Sequence, residues 1–166
     1  MNLDILKISG LAVLMLLLQV VALNNIHLFG CATPLLLVYI ILLMPNNTPR
    51  WIVLLGGFIL GLISDIFTNT PGVGAASMTL VAFIQPAYLK LFLSRESPED
   101  LQPSLKTLGF TKYLSYSIVL VSLFIVVFFS LEEFAFFHWQ QWALYTSGSI
   151  VLTYLLIFTI ESLRKG

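Results

Sequence analysis

Long uncharged apolar runs alternate along the chain with short polar breaks, and the breaks hold most of the residues that cap or end helices. The first run, Ile8 to Leu23, follows Lys7 and stops at Asn24 and Asn25, which predicts a helix over 6–24. At this length it exceeds most signal-peptide cores, and a second apolar segment follows at once, so it reads as a retained span. That second segment, 31–44, contains Thr33 and Pro34, an N-cap residue followed by the residue best tolerated in a first helical turn, and Pro45 closes it. From Pro34 to Met44 the helical rise gives about 16 Å, about half of a hydrocarbon core. This span is therefore short unless residues 26–33 extend it.

Thr48 and Pro49 repeat the cap-and-proline signal and predict a third span over 49–67. Asn69, Thr70, Pro71 and Gly72 make a tight turn. A fourth span over 73–93 is predicted to kink at Gln85-Pro86. After the polar loop Ser94 to Lys112 come a fifth span, 113–130, an outer loop from Leu131 to Gln141, and a sixth span, 142–160. The expectation is an all-α integral membrane protein, residues 1–166 forming a single domain of six transmembrane helices.

Composition agrees with this pattern. Of 166 residues 58% are hydrophobic and 10% charged, against roughly 45–50% and about 25% in soluble domains. Six spans of about 20 residues leave no room for a separate catalytic domain. Eight basic residues balance eight acidic ones, so no global field draws nucleic acid to the chain. Cys31 is the single cysteine, which excludes an intramolecular disulfide and any CxxC site. With six spans, Lys7, Arg50, Lys90, Arg95, Lys106, Lys112, Arg164 and Lys165 all fall on one side. Basic loops stay inside, so both termini are expected in the cytoplasm, and Trp51, Trp139 and Trp142 fall at the interfaces.

The chemistry-bearing residues are few. Gly57, Gly61 and Asp65 are four apart and share one helical face, the spacing that lets another helix backbone approach closely. That face packs either against a neighbouring helix of the same chain or against a second polypeptide. Asp65 is an acid within a span, near a helix C-terminus whose dipole disfavours it, with no cation on its side. Its expected partners are the backbone N–H groups that open the fourth helix at Gly72, Val73 and Gly74. Glu132, Glu133 and His138 resemble the start of a Glu-Glu-x-x-x-Arg protease motif, but position 137 is Phe. His27 and His138 meeting the two glutamates at a metal is weighed against a solvated face, and the solvated face is preferred. Glu161 and Arg164 read as an end-of-helix pair. In the polar loop, Ser97-Pro98-Glu99-Asp100 followed by Leu101, Leu105 and Leu108 predicts a short interfacial helix weakened by Pro103. No catalytic residues, cofactor or metal ligands are expected.

The stretch from Pro34 through Pro45 to Leu93, above all Gly61-Leu62-Ile63-Ser64-Asp65-Ile66-Phe67 followed by Pro71-Gly72-Val73-Gly74, resembles the rod shape-determining protein MreD family. The resemblance covers about 60 residues; the turn 70–74 varies the usual pattern, and the last two spans match only in hydropathy. It implies a non-enzymatic bacterial inner-membrane component of the cell-elongation machinery. The implied partner is an MreC-like protein, in a complex with RodA, a class B penicillin-binding protein and MreB. It also implies a fold similar to the substrate-binding S components of ECF-type transporters. Pro34, Gly57, Gly61, Asp65, Pro71, Gly72 and Gly74 are then structural or partner-facing. The competing expectation is a true S component carrying a vitamin or other small molecule. Such proteins commonly show Ala-x-x-x-Ala on the first helix, and here Ala12 is followed by Leu16.

Overall fold

The computed structural model describes residues 2–19, 35–93, 98, 101–132 and 139–165. Among these, all regular structure is helical: α1 (Asn2–Leu18), α2 (Val38–Leu42), α3 (Arg50–Thr68), α4 (Val73–Leu89), α5 (Phe110–Glu132) and α6 (Trp139–Lys165). Three helices, Arg50–Thr68, Phe110–Glu132 and Trp139–Arg164, are long and apolar enough to cross a membrane. Helices α3, α4 and α5 are neighbours in that order, and α6 packs on α5. The starts of α3 and α5 and the ends of α4 and α6 thus form one end of the bundle, which carries Arg50, Lys90, Lys112 and Arg164.

Several boundaries differ from the expected ones. The expected span over 31–44 contains only a five-residue helix, α2, among the described residues; Leu36 and Leu37 form a turn before it, and Pro34 lies outside them. Helix α1 begins at Asn2, earlier than expected, and residues 20–24 fall outside the described set. Helix α4 ends at Leu89, short of the expected 93, with Pro86 inside it. Helices α5 and α6 extend beyond the expected spans at both ends, because Phe110 and Trp139 continue the apolar pattern into the polar margins.

The expected interfacial helix is absent from 101–108, which instead form a turn. Here Ser104 and Thr107 satisfy each other's backbone: the Ser104 N–H donates to Thr107 Oγ1 at 2.9 Å, and the Thr107 N–H to Ser104 Oγ at 3.2 Å. Such local side-chain bonds compete with helix formation. Leu105 and Leu108 are buried in the core.

The core is built around α2. Val38, Tyr39, Ile40, Ile41 and Leu42 are each 0% exposed. A helix this short has nearly all of its backbone ends unpaired within itself, and at this depth no solvent reaches them. Side chains of the surrounding helices meet them. The Leu35 N–H donates to Thr153 Oγ1 of α6 at 3.0 Å, and the Leu36 N–H to Gln19 Oε1, just past α1, at 2.8 Å. At the other end, Tyr116 of α5 donates its hydroxyl to the Leu42 carbonyl at 3.2 Å. Gln85 of α4 donates through Nε2 to Tyr116 Oη at 3.0 Å and to the Met44 carbonyl at 3.3 Å. Four side chains from four regions of the chain thus hold α2 in place.

Because Gln85 and Tyr116 share one network, Tyr116→Phe and Gln85→Ala are each expected to cost about 1 kcal/mol, with the double variant less destabilised than the sum. Reversible unfolding in mixed micelles checks both the size and the coupling.

Candidate functional site

The small residues and the acid of α3 converge on α4. Val53, Gly57, Gly61 and Asp65 are the buried residues of α3. At Gly61 the approach is closest: a Cβ there would lie 2.5 Å from the Gly74 carbonyl oxygen and 2.6–2.7 Å from backbone atoms of Ala75. At Gly57 it would lie 3.0 Å from Ala82 Cβ, 3.1 Å from the Met78 carbonyl oxygen and 3.3 Å from Ile41 Cδ1. Two glycines one turn apart therefore set the spacing of the α3–α4 pair. This face is occupied by the chain's own helices.

Asp65 sits at the end of this contact, 2% exposed. Its Oδ1 accepts the Gly74 N–H at 2.7 Å and its Oδ2 accepts the Ala75 N–H at 3.0 Å. The Thr70 hydroxyl adds a longer bond to Oδ1 at 3.3 Å. The donors lie slightly deeper in α4 than Gly72 and Val73, because the turn uses those residues otherwise. Thr70 to Val73 is a type II turn: the Val73 N–H donates to the Thr70 carbonyl at 3.3 Å, and Gly72 has φ 86° and ψ −11°. Pro71 occupies the position where its fixed φ suits that turn and is exposed to solvent or headgroups. The first intrahelical bond runs from the Ala76 N–H to the Gly72 carbonyl at 3.0 Å. Every donor from Val73 to Ala76 thus has an acceptor, and two of the acceptors are the oxygens of Asp65.

The backbone of the same residue ends α3. The Asp65 carbonyl accepts the N–H of Asn69, which has the left-handed φ of 62°, and that of Thr70 at 3.3 Å. Asp65 therefore closes one helix with its main chain and opens the next with its side chain. The opposite dipole ends of α3 and α4 bracket it, and the favourable one is in direct contact.

A second buried carboxylate, from the end-of-helix pair Glu161 and Arg164, lies at the opposite end of the bundle. Glu161 is 2% exposed. Tyr39 of α2 donates its hydroxyl to Glu161 Oε2 in a short bond, and the Leu105 N–H donates to Oε1 at 3.2 Å. Arg164 stands 3.9 Å from Oε2 and donates to Gln102 Oε1 at 3.2 Å. One carboxylate joins α6, α2 and the 101–108 turn. A usable signal was present: Thr146, Ser149, Thr153, Ile157 and Glu161 recur at helical spacing on α6, and all are buried.

Two further polar atoms lie on that stripe. Trp142 Nε1 and Thr146 Oγ1 are buried without a hydrogen-bond partner, one turn apart near the start of α6. An open pocket of about 250 Å³ lined by Gln140, Gln141, Leu144 and Tyr145 lies on a different face of the same turns. Among the described residues no three His, Cys, Asp or Glu side chains come together. His27, Cys31, Glu133 and His138 lie outside them, so the weighed metal cluster does too. Compared with family models, curated proteins and solved structures, the chain matches none.

Gly61→Ala is expected to force α3 and α4 apart, costing about 1–3 kcal/mol. Gly56→Ala meets only Met44 Cε at 3.9 Å and should be neutral in the same unfolding assay. Asp65→Leu strands two buried donors, at about 1–3 kcal/mol for each, whereas Asp65→Asn keeps one acceptor and should fall between Leu and the parent. Equal stability of the Asn and Leu variants would refute the capping role.

Proposed function

We propose that this chain is a non-enzymatic, six-span scaffold of the bacterial inner membrane that acts in cell elongation by holding an MreC-like partner, with both of its own termini in the cytoplasm. The reading rests on the MreD-like stretch and on one observation above all: both oxygens of Asp65 are engaged by the Gly74 and Ala75 N–H groups. An acid held by two main-chain amides of the neighbouring helix reads as an architectural part. Gln19, Gln85, Tyr116 and Thr153 are likewise engaged with the chain's own backbone. This agrees with a protein whose work is to hold a shape. Since α4 covers the Gly57–Gly61 face, the partner would meet other surfaces. RodA, a class B penicillin-binding protein and MreB would join through the same assembly.

A second reading, a small-molecule carrier similar to ECF S components, is favoured by Trp142 Nε1 and Thr146 Oγ1, the two buried polar atoms left without a partner on α6. A bound ligand would supply what they lack.

Co-purification in mild detergent separates the two readings. The scaffold reading expects an MreC-like protein from the same cells to be retained, and Gly61→Leu to lose it along with the fold. Failure to retain it, together with vitamin uptake that depends on Thr146, would replace the scaffold with the carrier.

A further inference from the structure

One end of the bundle carries cations of two kinds. Arg50 opens α3, Lys90 follows α4, Lys106 lies in the turn before α5, and Lys112 lies in the first turn of α5. All four are exposed, and among the described residues the one ion pair is Glu161 with Arg164. Three of them stand beside a large, outward apolar side chain. Arg50 adjoins Trp51 at 66% exposure, Lys90 adjoins Leu91 at 76%, and Lys112 lies two residues from Phe110 at 57%. Lys106 differs: its neighbour Leu105 and nearby Leu108 are turned into the core.

Helix α3 packs on α4 and α4 on α5, and the Phe110 ring stands edge-on to Phe158 of α6 at 6.1 Å between centroids, so the three cation and apolar pairs follow the rim of this end from α3 through α4 to the α5–α6 contact. A positive charge next to an exposed apolar group suits a ligand that is anionic at one level and hydrocarbon just beyond it. A soluble anion would use the charge and leave Trp51, Leu91 and Phe110 in water. An acidic protein segment would have no use for outward apolar groups at the margin of apolar helices, two of which, α3 and α5, are long enough to cross a membrane. We infer that Arg50, Lys90 and Lys112, with Trp51, Leu91 and Phe110, form a binding arc for anionic phospholipids, selecting phosphatidylglycerol-type headgroups over zwitterionic ones. The inference is independent of the elongation role and holds for a scaffold or a carrier alike.

Juxtamembrane cations each contribute about a fivefold preference for anionic lipid, so three give about a hundredfold. The test uses the full chain in detergent, with phosphatidylglycerol or phosphatidylcholine of the same acyl chains added. Lipid retention is read by native mass spectrometry and thermal stability by unfolding. Phosphatidylglycerol should be retained and should stabilise in preference. Arg50→Gln, Lys90→Gln and Lys112→Gln should each weaken that preference about fivefold, while Lys106→Gln, of equal charge change, leaves it nearly intact. All four side chains are exposed, and unfolding without added lipid shows that the variants remain folded. The assignment is overturned by equal retention of both lipids or by an unchanged preference in the triple variant. An equal loss in Lys106→Gln would reduce it to net charge. Matching stabilisation by soluble glycerol phosphate or by polyglutamate would transfer the arc to a soluble anion or to an acidic protein.

Discussion

A five-residue helix with no exposed surface must find hydrogen-bond partners for both of its ends within the protein, and most of the bundle is arranged around that requirement. The amides before α2 go to Gln19 and Thr153, and the carbonyls after it go to Tyr116 and Gln85. An unmet backbone group in an apolar interior costs several kcal/mol, more than any one of these side-chain bonds returns on its own. Thus α2 cannot shift along its axis or rotate without stranding several groups at once. The residues around α2 also fix how α1, α4, α5 and α6 stand relative to one another, since each contributes one partner or abuts one that does.

The two buried carboxylates solve a related problem at opposite ends. Asp65 sits between α3 and α4 and is met by main-chain amides. Glu161 sits between α6, α2 and the turn before α5, and is met by a phenol, an amide and a guanidinium. Neither depends on solvent. Each also ends the buried face of its helix: Asp65 is the last buried residue of α3, and Glu161 ends the buried stripe of α6. Between them the α2 hydrogen bonds and van der Waals packing share the work, the latter driving association where no hydrophobic gradient separates helix from surroundings.

What could be read from the sequence follows the range of the contacts. Asp65 and its donors are 9 and 10 residues apart, joined by a turn whose proline and glycine are themselves strong local signals, so the pairing was legible and erred by about one residue. Gly57 and Gly61 were legible as a close-packing face for the same reason, although the spacing says nothing of which helix covers it. Thr153 meets Leu35 across 118 residues and Glu161 meets Tyr39 across 122. No local pattern encodes such pairs. The shortness of α2 was half visible, since Pro45 limited it, while the turn at Leu36 and Leu37 depends on distant acceptors. At 101–108 the leucine spacing suits an amphipathic helix, but the hydroxyls of Ser104 and Thr107 compete for the backbone and a turn results.

The location of Asp65 also bears on how the chain enters a membrane. A helix carrying a carboxylate near its far end is a poor candidate to cross alone, because the groups that neutralise it do not exist until the next turn and the first residues of α4 have been made. Those groups follow within ten residues, so α3 and α4 are best delivered to the bilayer as a preformed hairpin. In that hairpin the acid is already enclosed by the Gly74 and Ala75 amides, so α3 brings no bare charge into an apolar medium.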